Sequence, residues 1–136
     1  MSLQLIRRAF EKRLLAVSAG LATAYENDDF TPVTEVPYQR ANLLPNDPDN
    51  QQMGDQSYTE RGLFQITLAY PYGKGSGAAD ARAQALRTQF KRGLTLTESG
   101  LLVHVIKTPK VSPALVDAGR YFLPITVEWQ CHVNTP

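Results

Sequence analysis

The run Gly73-Lys74-Gly75-Ser76-Gly77 is the stretch of this 136-residue sequence that comes nearest to a known binding chemistry. Small residues ahead of a helix let backbone amides approach an anion, as in phosphate cradles. A P-loop, however, needs Gly-x-x-x-x-Gly-Lys-Ser/Thr, which is absent. The dinucleotide pattern is met only in its variant form, with Ala78 last, and without the repeated βαβ units it belongs to. The glycines therefore read as a strand-to-helix turn. His104 alternates with Val103 and Val105, on the wetter face of a strand, and His132 follows Trp129 by three residues. Neither lies in a nucleophile motif. Lone Cys131 reads as a small half-buried hydrophobe and can form no internal disulfide. With two separated histidines it makes no structural zinc set. Asp47-Pro48-Asp49 opens like a calcium loop, but Gln51 and Gln52 replace the expected Asp/Asn and Gly, and Tyr58 replaces the closing Glu.

Catalytic and metal chemistry thus find no foothold, and the charges are left to consider. Fourteen basic and 13 acidic residues give a net +1, too even for a dedicated nucleic-acid binder. The distribution is uneven: +3 over residues 1–20, −7 over 21–60 and +5 over 61–136. An acidic stretch between basic flanks suits intramolecular pairing or head-to-tail contacts between copies. Arg87, Lys91 and Arg92 cluster where a helix is expected to end, which offsets the helix dipole and leaves a phosphate or acidic-partner contact open. Residues 45–57 hold three aspartates and one large apolar side chain, Met53, so they form a loop. Such a loop is either a solvated hairpin connection or a segment that orders on a partner.

The elements that must carry these residues follow from periodicity. Leu3, Ile6, Phe10, Leu14, Val17 and Leu21 recur at helical spacing and predict an amphipathic helix over 2–20, capped by Ser2 and ended by Gly20. Its Arg7, Arg8, Lys12 and Arg13 invite a membrane-surface reading, but the apolar face is needed to cover a sheet. A short strand at 22–26, a proline-punctuated segment and strands at 38–44 and 58–70 follow, the last with Phe64, Ile66, Leu68 and Tyr70 on one face. A second helix opens at Ser76 or Gly77 and runs to about Lys91, with Ala78, Ala81, Ala85, Leu86 and Phe90 as its stripe and Gly93 as its stop. Strands at 94–96 and 101–108, a loop at 111–117 and a strand at 120–133 complete the chain. In the last strand Ile125, Val127, Trp129 and Cys131 share a face once Pro124 has disturbed the start. The expectation is one α+β domain over 1–136, two helices on a mainly antiparallel sheet in the order α-β-β-β-α-β-β-β. No apolar run approaches a membrane span, and charges at Glu11, Lys12 and Arg13 interrupt any export signal.

The N-terminal helix, Asp29-Phe30-Thr31-Pro32 before a strand ending in Leu43-Leu44-Pro45, the strand Arg61-Gly62-Leu63-Phe64-Gln65-Ile66 and the turn Gly73 to Ala79 together resemble small tailed-phage proteins of the tail-terminator type. The resemblance implies a virion structural protein and brings no enzyme activity or cofactor. It implies a ring, six-membered in the lambda relative, that stops polymerisation of the tail tube and offers a surface to head-completion or neck proteins. The implied partners are further copies of the chain and the tube protein, with DNA only as passing cargo, and the implied place is the neck end of the tail, after assembly in the host cytoplasm. DNA passing through such a ring calls for few fixed positive charges around the hole, because tight phosphate binding would resist sliding. Within that reading the candidate contacts are Asn46, Asp47, Asp49, Gln51, Met53 and Asp55 of the loop, and Arg87, Lys91 and Arg92. Another head-tail joining or minor tail component is the near alternative. A small enzyme or ligand-binding domain is the distant one, favoured by a pocket that joins His104 to a carboxylate.

Overall fold

A computed structural model of the chain describes residues 2–17, 21–32, 35–47, 57–73 and 75–134. Its order is α1 (Ser2–Ala16), β1 (Ala22–Ala24), β2 (Tyr38–Pro45), β3 (Ser57–Pro71), α2 (Gly77–Gln89), β4 (Thr95–Glu98), β5 (Leu101–Val105), β6 (Lys110–Val111), β7 (Leu115–Asp117) and β8 (Arg120–Asn134). The α+β expectation holds, and the sheet is mixed but mostly antiparallel. The 111–117 stretch expected to be a loop carries β7 and part of β6.

One sheet runs β1-β2-β3-β8-β5-β4, with β6 and β7 also paired to β8. Strand β8 is the spine. Along one edge it pairs with β3 without a break from Pro71↔Arg120 to Ser57↔Asn134. Along the other it meets β7, β6 and β5 in turn. Only β1 and β2 are parallel. The two hairpins β4–β5 and β7–β8 turn on consecutive positive-φ residues, Ser99 and Gly100, then Ala118 and Gly119, the geometry that matches the twist of paired strands. Pro124 leaves the ladder intact opposite Thr67, because β8 shows its proline where no bond from that nitrogen is required. Leu123, Ile125, Val127, Trp129 and Cys131 therefore alternate inward from the start of the strand.

Both helices cover the same face. From α1, Ile6, Phe10 and Leu14 are fully buried, and Phe10 stacks on Phe64 at 4.7 Å with Phe90 and Trp129 around it. Helix α1 ends at Ala16, short of the expected Gly20, and residues 18–20 lie outside those described. Helix α2 inserts Ala79, Arg82, Ala83, Leu86 and Phe90. The expected stripe of Ala78, Ala81 and Ala85 is instead exposed. Arg82 explains the error: a buried cation stands inside the true stripe and disguises it. Ser76 occupies the N-cap position without a side-chain cap bond, and the helix stops at Gln89, before Gly93. A smaller cluster of Ala24, Tyr38, Ala69, Phe30 and Phe122 closes one end of the opposite face.

Candidate functional site

The residues that could do chemistry do not converge. His104 Nδ1 meets Thr95 Oγ1 at 3.0 Å across the β4–β5 pair, with no carboxylate contact. His132 is exposed. Cys131 is fully buried rather than half-buried, and burial pushes its thiol up to about 11, with Glu60 nearby adding to the effect. Among the described residues no group of three His, Cys, Asp or Glu could hold a metal ion, and no helix is long and apolar enough to cross a membrane.

The basic side chains of α1 reach acids inside the fold. Arg7 pairs with Glu26 at 2.7 Å, while Arg8 and Lys12 bracket Glu98 at 3.6 and 3.0 Å. Arg13 donates to the Gln89 carbonyl and so ties the two helices together. Glu26 also accepts from the Leu43 N–H. Burial pushes this carboxyl up, but the Arg7 and Leu43 hydrogen bonds outweigh it and hold Glu26 below the usual carboxylate range. Glu60 is buried among the core strands and burial raises it. Of the acids in residues 21–60, Glu26 and Glu60 are thus drawn into the fold. In the described part of that segment, Asp28, Asp29 and Asp47 are the acids left exposed without an ion pair, and Arg40 lines the same depression as Asp28 and Asp29.

The candidate contact residues fall in two separate places. Asn46 and Asp47 are exposed where β2 leaves the sheet, in a polar depression shared with Pro45, Arg61, Gly62, Glu128 and Trp129. Asp49, Gln51, Met53 and Asp55 lie outside the described residues. Gly62 is required here, since a Cβ would stand 2.5 Å from the Leu44 carbonyl and 2.8 Å from Pro45 Cα. Arg87 is half-buried and donates through Nε to the Pro109 carbonyl at 3.0 Å, so it braces the segment after β5. Lys91 and Arg92 are exposed, with no ion pair among the described residues.

A feature missed from sequence lies on the sheet face opposite the helices. Leu63 of β3 and Thr126 and Glu128 of β8 floor a groove of about 410 Å³, walled by Lys107, Thr108, Lys110 and Ser112. Lys107 stands 3.5 Å from Glu128, and Lys110 is exposed opposite Thr126. Alternation along β8 is the sequence signal for the floor. The wall had none, because the short β6 pairs across a long sequence separation.

The described residues thus form a two-helix layer on one face of a long, mostly antiparallel ribbon, with polar depressions on its surface. The family model described as phage tail terminator protein matches residues 5–129, and the chain belongs to that family of phage tail structural proteins. No curated protein matches the chain. It is similar to a solved structure at 31% identity and TM-score 0.79, covering 100% of this chain and 99% of that one, whose title names no function. The chain is thus a component of the phage tail that meets other virion parts.

Proposed function

We propose that the protein closes into a ring, six copies in the simplest form, that caps the tail tube, stops its polymerisation and presents its far side to a head-completion or neck protein. The observation that carries this reading is the family match across 125 residues, and the physical logic supports it. A tube of repeated subunits keeps an exposed growing end, and a heterologous ring that matches it on one side removes the template for the next layer. DNA passes as cargo, and assembly takes place in the host cytoplasm. The contacts between copies use the β2–β3 loop, with Asn46, Asp47, Asp49, Gln51, Met53 and Asp55, and the basic surface around Lys91 and Arg92. Arg87 acts from behind by holding Pro109.

The test is the mass of the purified protein across concentration and salt, followed by imaging. Six copies of the 15.1 kDa chain weigh about 91 kDa. A species of that mass that forms rings and loosens in high salt is expected, since contacts between exposed charges are screened. A protein that neither forms rings nor binds added tail tubes would overturn the reading. Rings of unchanged yield after deletion of residues 47–55 would remove the loop from the interface.

A further inference from the structure

We propose that the groove on the uncovered sheet face receives residues 47–55 of an adjacent copy. The inference rests on self-assembly and names the receiving surface for it. The groove has an apolar floor at Leu63 and cationic walls at Lys107 and Lys110, with Glu128 neutralised by Lys107 at 3.5 Å. A fitting occupant carries one flexible apolar side chain and nearby carboxylates. The 47–55 segment has that composition, with Met53 flanked by Asp49 and Asp55. Methionine adapts its shape to shallow apolar surfaces. Charge complementarity between the segment's aspartates and the wall lysines fixes the register and favours encounter.

A ring built by head-to-tail contact calls for the neighbour's segment. Gly62 belongs to the helix-covered face, where it pairs with buried Trp129. Leu44, Pro45 and Asn46 cross directly over it, within about 3 Å of the missing Cβ. Glu128 lines both the groove and the depression that Asn46 and Asp47 share at the end of β2, so the described chain ends beside the groove's rim. In head-to-tail contact each copy gives its segment once and receives one in its groove.

Site-directed cross-linking tests this in the full chain. Chains with Met53→Cys are mixed with chains carrying Thr108→Cys on the groove wall, under a mild thiol oxidant. Native Cys131 is fully buried and gives no background. The expected result is a disulfide between chains that needs both partners. Lys107→Glu with Lys110→Glu in the groove chain lowers its yield several-fold, and Asp49→Lys with Asp55→Lys in the other chain restores it. No product beyond that of either chain alone, a yield indifferent to charge reversal, or an internal bond in a chain carrying both cysteines would each overturn the proposal. Wild-type mass separates the two readings. Cross-linked pairs without closed rings would keep the groove and retire the ring, and rings without cross-links would do the reverse.

Discussion

The two faces of the central sheet follow opposite rules. On the helix-covered face every central side chain of β8 is apolar and sealed, and the acids that reach it either meet cations, as Glu26 and Glu98 do, or, like Glu60, are pushed up by burial. On the other face the same strands show Gln65, Thr67, Thr126 and Glu128, half-exposed and uncovered by any helix. Most of the core therefore lies on one side of the ribbon, with only the small Tyr38 cluster on the other, and a substitution should report which side it touches.

The strongest test of that division is Phe10→Ala. Phe10 is fully buried at the meeting point of both helices and the sheet, so its loss should remove about 3 to 5 kcal/mol of stability in denaturant titration. Cys131 comes next. Its folded thiol lies at about 11, above the unfolded value, so between the two the unfolded chain loses the proton first and stability falls as pH rises. The part due to Cys131 should reach at most about 2 to 3 kcal/mol between pH 9 and 11 and be lost in Cys131→Ala, leaving the smaller fall from Tyr70, whose hydroxyl is also pushed up by burial. A thiol reagent at pH 8 should label the native protein only as fast as it unfolds. Gly62→Ala should cost about 1 to 3 kcal/mol, because the new methyl must push Leu44 and Pro45 aside. Thr126→Ala, on the open face, should change stability by less than about 0.5 kcal/mol. A larger loss in an isolated subunit would erase the contrast between the faces.

How much of this was readable beforehand depends on the kind of signal. Strict alternation made Ile125, Val127, Trp129 and Cys131 readable as one buried face, and the Ile6, Phe10, Leu14 stripe announced α1. The stripe of α2 was readable only at Leu86 and Phe90; its first turns were misplaced, because buried Arg82, which reaches Gln39 at 3.4 Å, looks polar in a sequence while lying among Ala79, Ala83 and Leu86. The linear charge count could not tell which acids are spent inside the subunit: Glu26 pairs with Arg7 and Glu60 is buried, while Asp28, Asp29, Glu35 and Asp47 stay exposed. The groove was hidden because its wall is assembled by β6 pairing with β8 across intervening chain, and pairing of that kind leaves no local periodicity.

The central position of β8 also bears on how the protein is made. It is synthesised after every other element of the domain, yet it is the strand that joins the β2–β3 ribbon to the β4–β5 hairpin. Until it leaves the ribosome, the earlier strands are two unconnected pieces with bare edges, and most of the core has no floor. Folding must then proceed as a late, non-local closure, the slow kind. A chain cut short before β8 is left without the strand that joins its two halves, so β8 decides whether the fold exists at all.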